Sequence, residues 1–458
     1  MNPQVDIVAK AAFAAFRTYA GSAAAKRAQF LREIALRIEQ LGDALIECVQ
    51  RETALPAARV TGERARTCNQ LRLFADVAEH DTWSDERIDA ADPQRAPPRP
   101  RLRSRLRPVG PVAVFGASNF PLAFSVAGGD TAAALAVGCP VIAKAHPAHP
   151  QTSALVAQAI TDVAAACGLP AGVFALLDDS SIEAGVGLVQ HPAIKAAAFT
   201  GSQHGGLALW RAAQQREEPI PFFAEMGSIN PVFIFPDALA RDAEAIATGL
   251  HASMTLGVGQ FCTQPGVILL IDDAAGRAFL DRLATFVATT PPGTMLTPTI
   301  GATYARAIAQ RAAEGGVRVV ASVEVADANT RHAGAMLFAT DSRTFLADAG
   351  LADEIFGPSS LVVMCGSTRD FVRCAESLRG QLTGTIWTVA DEADPELLWT
   401  LEQKVGRIVL NGFPTGVEVG SATMHGGPFP ATTDSRFTSV GTRAIERFVR
   451  PVAWQTPA

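Results

Sequence analysis

Two side chains of this sequence are placed for covalent chemistry. Cys262 lies in the turn-rich segment GQFCTQPG (259–266), after an alanine-rich helical pattern, and the other six cysteines have no such setting. Glu225 lies 37 residues upstream, at the end of the apolar run IPFFAEMGSINP (220–231). A soft nucleophile and a carboxylate at the ends of regular elements suit nucleophilic attack followed by general-base hydrolysis. An apolar-flanked glutamate is expected to have a raised pKa, which suits a base. Asn119, in FGASNFPLAFS, could donate its amide to an oxyanion, although asparagine is also common in plain turns.

A second group of residues could hold a phosphate-bearing ligand. There is no GxGxxG. The nearest phosphate turn is FTGSQHGG (199–206), where Gly201, Ser202 and Gly206 sit between a strand and a helix whose first amides could meet a pyrophosphate. The same glycines would also serve a tight turn with no ligand. Lys144 ends a buried-type strand, where it could donate to ribose hydroxyls or snorkel to the surface. Glu354 and Phe356, in DEIFGP, pair a carboxylate with an aromatic ring before a Gly-Pro turn; a helix end and a core phenylalanine would look the same. His146 and His149 have HxxH spacing, but Pro147 and Pro150 preclude a helix presenting both rings on one face, and no metal site is expected.

These residues need a scaffold. Residues 5–80 read as helical. Ser22 is placed to cap a long amphipathic helix with the stripe Phe30, Ile34, Leu36, Ile38, Leu41, Leu45 and Ile46, and a further helix follows Pro56. Residues 91–108 are rich in proline and arginine. Arg99, Arg101, Arg103, Arg105 and Arg107 recur at period two, on one face of an extended strand. A solvated edge strand is the favoured reading, because charge discourages edge pairing. A subunit contact or anion-binding surface is the other. From Gly110 the rhythm is strand, helix, strand: strands at Val112–Phe115, Val141–Lys144, 173–177, 196–199 and 221–224, and helices at 124–137, 152–167, Ile182–Gln190 and 203–215. This alternation predicts an α/β fold with a doubly wound parallel sheet, whose carboxyl-end residues, 116–119, Lys144, 200–202 and Glu225, share one crevice. A second α/β region, with strands at 232–235, 267–271, 317–321, 361–364 and 408–410, extends to about residue 424.

Composition sets the class. The chain has 458 residues, 48% hydrophobic and 18% charged, with a net charge of −6, as expected of a soluble protein of two or three domains with no nucleic-acid partner. Seven cysteines without paired spacing suit reduced thiols in a cytoplasm. Neither a signal peptide nor a membrane span is read from the sequence.

Taken in order, the Asn-Phe-Pro turn, the strand-end lysine, FTGS, Glu-Met-Gly-Ser, the cysteine loop and EIFGP make the whole chain resemble the aldehyde dehydrogenase superfamily. Segments 117–150 and 411–442 look most like its branch acting on 2-oxoglutarate semialdehyde (2,5-dioxopentanoate), with fatty aldehyde dehydrogenases close by. The resemblance implies a cofactor domain (1–90 and 109–227), a catalytic domain (228–424), and an oligomerisation strand and tail (91–108 and 425–458) forming a homodimer or homotetramer. It assigns Cys262 as nucleophile, Asn119 and the Cys262 N–H as oxyanion donors, and Glu225 as the base for thioester hydrolysis. It also assigns Lys144 and Glu354 to the two riboses of NAD or NADP, Phe356 to the nicotinamide ring, and Gly201, Ser202 and Gly206 to the pyrophosphate side. His146, Ser180 and Ser181 are candidates for a 2′-phosphate. Phe120, Phe124, Gln260, Phe261, Phe413 and Thr415 are candidate substrate-tunnel residues. Relatives carry a strand-bearing segment before the first helix, whereas here helix begins almost at once. The same-fold alternatives are an aliphatic aldehyde dehydrogenase and a non-redox thiol esterase or structural protein.

Overall fold

The computed structural model describes residues 2–325, 331–389 and 393–457. Four helices open the chain: α1 (Pro3–Ala20), α2 (Ala24–Gln40), α3 (Gly42–Thr53) and α4 (Ala57–Glu79). The α2 stripe buries Phe30, Leu31, Ile34 and Ile38 against α4 residues Leu71, Phe74 and Ala75, while Leu36 faces solvent. Ser22 does not cap α2. Its hydroxyl donates to Tyr19 O at 2.6 Å, closing α1, and Ala23 stands at the cap position.

Strands β1 (Arg87–Asp89) and β2 (Arg101–Pro108) lead into β3 (Val112–Phe115), β4 (Val141–Lys144), β5 (Phe174–Leu177), β6 (Ala196–Thr200) and β7 (Phe222–Glu225). The last five form a parallel sheet in the order β5-β4-β3-β6-β7. Winding reverses between β3 and β6, so the turns after those strands flank the crevice where such sheets take ligands. Apolar β3 is buried along its whole length, as a central parallel strand must be. The helix after β3 was expected over 124–137; α5 spans only Gly129–Val137. Residues 120–128 coil instead and pack tightly on two glycines: a Cβ on Gly116 would lie 2.7 Å from Ser125 Cα, and one on Gly128 would lie 2.5 Å from Ala123 O.

Helices α6 (Pro150–Ala166), α7 (Ile182–Gln190) and α8 (Gln203–Gln214) connect these strands. The second sheet contains β8 (Val232–Ile234), β9 (Val267–Ile271), β11 (Arg318–Ser322), β13 (Met336–Asp341), β14 (Ser359–Cys365), β15 (Gln381–Trp387) and β16 (Val405–Leu410). Its order is β11-β13-β14-β9-β8-β15-β16, antiparallel only at β11. Helix α9 (Pro236–Thr255) links β8 to the cysteine loop. Short strands β10 (Gly293–Thr294) and β12 (His332–Ala333) pair separately.

The arginine-rich strand is not an edge. β2 lies between β1 and the C-terminal strand β17 (Val449–Thr456), pairing along its length with β17 from Arg101↔Thr456 to Pro108↔Val449. Alternation serves ion pairing here: Arg103 meets Glu86 at 3.0 Å and Arg105 meets Asp81 at 2.8 Å. Among the described residues, no helix is long and apolar enough to cross a membrane.

Candidate active site

The cysteine loop is held in a strained form. Gly257, Val258 and Gly259 all have left-handed backbone, with φ of 57°, 59° and 64°. A β-branched residue at positive φ is costly, of order 1–3 kcal/mol, and persists only where its surroundings enforce it. Here Val258 packs on Gly293, where any Cβ would lie 2.5 Å from the valine methyl. Gly259 passes so close to Gly357 that a Cβ would come within 2.3 Å of its backbone, which seats the loop against the EIFGP turn. Asn230, fully buried after β7, donates to Cys262 O and Gln264 O, each at 2.8 Å. Sequence reading missed this brace, since a lone asparagine carries no signal.

Asn119 donates to Gln260 O at 2.9 Å, joining the turn after β3 to the cysteine loop and leaving its second N–H for another acceptor. The Cys262 N–H meets no protein acceptor among the described residues. Two unspent donors therefore flank the sulfur. The turn is anchored from α4, where buried Glu63 accepts the N–H groups of Leu122 and Ala123 at 2.8 and 2.9 Å.

A third side chain joins Cys262 and Glu225. His425 Nε2 lies 3.6 Å from Cys262 Sγ and 2.9 Å from Glu225 Oε1. The carboxylate contact is close but misaligned: Glu225 Oε1 makes no directed hydrogen bond, while Oε2 accepts from Ser439 Oγ at 2.7 Å. The ring is thus placed to accept the thiol proton, with the carboxylate beside it as a counter-charge. Nothing in the sequence points to His425, because it comes from the tail assigned to oligomerisation. That tail folds back onto β7 through a Glu225↔Thr432 bridge.

The electrostatics differ from expectation. Burial does push the Glu225 carboxyl up, but His425, Ser439 and Cys262 together outweigh it and hold the group below its ordinary value. The expected raised pKa fails because apolar sequence neighbours say nothing of an imidazole arriving from 200 residues away. The Cys262 thiol is pushed well above its ordinary value, by burial first and by Glu225 second. A raised thiol is protonated at neutral pH, so its reactive thiolate grows as pH rises. His425→Asn should slow alkylation of Cys262 by iodoacetamide about 10-fold or more near pH 7 and move the alkaline rise to higher pH. An unchanged alkylation profile would remove His425 from the proton path.

This constellation sits in a recognisable chain. A profile of the Aldehyde dehydrogenase family matches residues 2–429. The chain belongs to the aldehyde dehydrogenase family. It is 51% identical over 444 residues to alpha-ketoglutaric semialdehyde dehydrogenase 2 of Azospirillum brasilense, covering 96% of this chain and 84% of that protein. It is 48% identical over 458 residues to alpha-ketoglutaric semialdehyde dehydrogenase of Acinetobacter baylyi, covering 99% and 86%. Among solved structures it matches HpcC of Thermus thermophilus with a TM-score of 0.86 at 23% identity, over 99% of this chain and 85% of that one. It matches PnpE in complex with nicotinamide adenine dinucleotide at 0.83 and 22%, over 99% and 89%. These two establish a shared fold.

The remaining residues of this aldehyde dehydrogenase fall into two sets. On the first sheet, Lys144 ends β4 half-buried, packed so closely on α7 that a Cβ on Gly185 would touch its chain at 3.4 Å. Asp179, unremarked in the sequence, brings a carboxylate near enough for the two charges to interact. Ser202 caps α8 by accepting from Gly205 N–H at 3.2 Å. A Cβ on Gly201 would meet the Phe199 ring at 2.8 Å, and one on Gly206 would meet Met226 Sδ at 2.8 Å, so a side chain at either place would displace a neighbour. Glu354 opens onto the crevice, yet its oxygens press on Gly227, where a Cβ would stand 2.1 Å away. Desolvation by these walls pushes its carboxyl up to about 7. Phe356 is half-buried in the same turn. A half-buried lysine with no hydrogen-bond acceptor among the described residues, a helix N-terminus and a carboxylate at the crevice fit a dinucleotide. His146 does not fit as a phosphate cation: burial drives its pKa to about 3, and its ring stacks on His149 at 5.1 Å. Ser181 is occupied in capping α7; Ser180 is exposed beside it.

On the substrate side, Phe120, Phe124 and Phe261 cluster, with ring centroids 5.2 and 5.4 Å from Phe120, and Phe124 lies 6.2 Å from His425. The other tunnel candidates also make packing or hydrogen-bond contacts. Gln260 is buried, donating to Gly257 O at 3.0 Å and accepting from Leu296 N–H at 2.9 Å. Phe413 packs on Trp387 at 5.2 Å and over Gly249. Thr415 bonds Ser253.

Proposed function

We propose that this chain oxidises 2-oxoglutarate semialdehyde (alpha-ketoglutaric semialdehyde) to 2-oxoglutarate, with NAD or NADP as hydride acceptor. The observation that carries the reading is near-full-length identity of 51% and 48% to two enzymes named for that aldehyde, on a chain that assembles Cys262, His425 and Glu225 within one cluster. His425 Nε2 takes the thiol proton as the sulfur bonds to the aldehyde carbon. The second Asn119 N–H and the Cys262 N–H hold the resulting oxyanion, a preorganised pair that avoids reorganisation. A bound nicotinamide dinucleotide supplies the hydride acceptor that takes the hemithioacetal to a thioester. Glu225 then draws a proton from water, the water oxygen attacks the acyl carbon, the carbon–sulfur bond breaks, and the sulfur recovers its proton from His425.

Lys144 and Glu354 would hold the two riboses, Gly201, Ser202 and Gly206 the pyrophosphate side, and Phe356 the nicotinamide ring. Asp179 beside Lys144 favours a ribose hydroxyl over a 2′-phosphate, by like-charge repulsion. The five-stranded sheet with the N-terminal helices forms the cofactor domain and the seven-stranded sheet the catalytic domain. The three-stranded β1-β2-β17 sheet, with β17 unpaired on its outer side, is suited to joining subunits of a cytoplasmic homodimer or homotetramer.

A second reading, oxidation of aliphatic aldehydes, is favoured by the aromatic trio Phe120, Phe124 and Phe261. Steady-state kcat/KM for the semialdehyde, pentanal and decanal, each with NAD and with NADP, separates the two. The semialdehyde should be preferred by about 10²-fold or more, since polar groups matched by one substrate and left unpaired by another can discriminate by up to about 10⁴–10⁵-fold. Preference for decanal would replace the substrate and leave the chemistry standing.

A further inference from the structure

The aromatic trio is not a purely apolar wall. Two guanidinium groups from α4 lie over it. The Arg59 guanidinium carbon is 4.5 Å from the Phe120 centroid and 5.6 Å from that of Phe261; the Arg66 carbon is 5.5 Å from Phe124 and 6.0 Å from Phe120. The two cations differ in one respect. Arg59 has its own anion, Glu63, at 2.8 Å. Arg66 forms no ion pair among the described residues, where its Nε and Nη2 lie buried without a hydrogen-bond partner. The Glu63 hydrogen bonds go elsewhere: one oxygen takes Arg59 and the other takes the N–H groups of Leu122 and Ala123.

In this half-buried, always-charged guanidinium, two buried donors without an acceptor are costly unless something else fills them. Aromatic faces give some attraction but accept no hydrogen bonds in its plane. Burial depresses the Arg66 guanidinium, and Glu63, Cys262 and Glu225 are among the groups whose charge acts back on it. Arg66 is therefore electrostatically within the active site. Contacts trace the route: Cys262 to His425, His425 to Phe124, Phe124 to Arg66.

The geometry points to Arg66 as the group that receives the substrate's carboxylate, setting specificity for an aldehyde that carries an acid at its far end. This rests on the semialdehyde reading above. With the aldehyde carbon on Cys262, a short dicarbonyl chain runs along Phe124 and ends in a planar anion that matches the Nε–Nη2 edge two-on-two. Arg59 stays on Glu63 and stiffens the turn that carries Asn119. A second candidate cation, Arg407, also has a buried unpartnered Nε, but its two terminal nitrogens are occupied by the carbonyls of Gly416 and Pro414 at 3.0 and 2.6 Å.

The test compares wild type, Arg66→Met, Arg66→Lys and Arg407→Met with 2-oxoglutarate semialdehyde and with pentanal, which lacks the acid, and measures competitive inhibition by glutarate. Thermal melting checks folding. For Arg66→Met, kcat/KM on the semialdehyde should fall about 10²-fold, mostly through KM, with glutarate inhibition lost and pentanal changed less than about threefold. Arg66→Lys should recover part of the loss. Equal losses on both aldehydes, no loss on either, or the loss appearing only in Arg407→Met would each overturn the assignment. If wild type prefers pentanal, the semialdehyde reading fails by itself. Glutarate then decides: inhibition that Arg66→Met abolishes keeps Arg66 as a carboxylate site, and inhibition absent from wild type or retained in Arg66→Met overturns it.

Discussion

Cys262→Ala should lower turnover by at least about 10⁴-fold while leaving dinucleotide binding within about twofold of wild type. The methyl group that remains cannot form a bond to carbon, and no other thiol can replace it: of the remaining cysteines, Cys48, Cys68, Cys139, Cys365 and Cys374 are buried and Cys167 ends α6. The pocket should survive, because Cys262 contributes its carbonyl rather than its sulfur to the Asn230 brace. Tryptophan fluorescence quenching on adding NAD or NADP measures the binding, and the rate of reduced-nicotinamide formation measures the turnover. Residual turnover within about tenfold of wild type would move the nucleophile elsewhere.

Glu225→Gln should separate the two halves of the reaction. Acylation needs the thiol proton to leave by His425, whereas deacylation needs a base for water, and a general base is worth about 10²–10⁴-fold. The variant should therefore show a burst of reduced nicotinamide close to one equivalent per site, then steady turnover reduced by about 10²-fold or more. Quenched-flow mass spectrometry should find the acyl group on Cys262. The counter-charge enters too. Without the carboxylate, the imidazolium formed on His425 loses its neighbour, so the burst itself should slow modestly, by less than about tenfold. A variant with no burst and near-normal turnover would strip Glu225 of the base role.

The pH behaviour follows from the same cluster. Glu225 has its pKa lowered, so it remains a carboxylate down to pH values below the ordinary carboxylate range. Cys262 has its pKa raised, so the acylation limb gains with rising pH. Acid loss of activity should thus be shallow and alkaline gain pronounced.

Much of the site was legible in the chain because its parts are local motifs. Gly201 and Gly206 lie close against Phe199 and Met226, and Ser202 is a helix cap in the position its type suggests. Lys144 and Glu225 mark the ends of short strands that the alternation of apolar runs already delimited. Three expectations fail for one physical reason: the longer helix after β3, the edge position of the arginine strand and the raised pKa of Glu225. Each depends on atoms distant in sequence: close approach of the 116 and 128 backbones to the 123–125 turn, β17 arriving to cover β2, and His425 arriving beside the carboxylate.

The sequence by itself determined the alternation of strands and helices and singled out Cys262, Glu225 and the 199–206 turn as candidates, because hydrophobic period, turn chemistry and helix capping act over a few residues. Only the tertiary structure decided what those residues face. It set His425 between thiol and carboxylate, packed Gln260 and Phe413 against their neighbours, and left two Arg66 nitrogens without a hydrogen-bond partner among the described residues, beside the aromatic trio. Burial and electrostatic pairing are sums over neighbours in space, and a chain position carries no record of which distant segment folds against it.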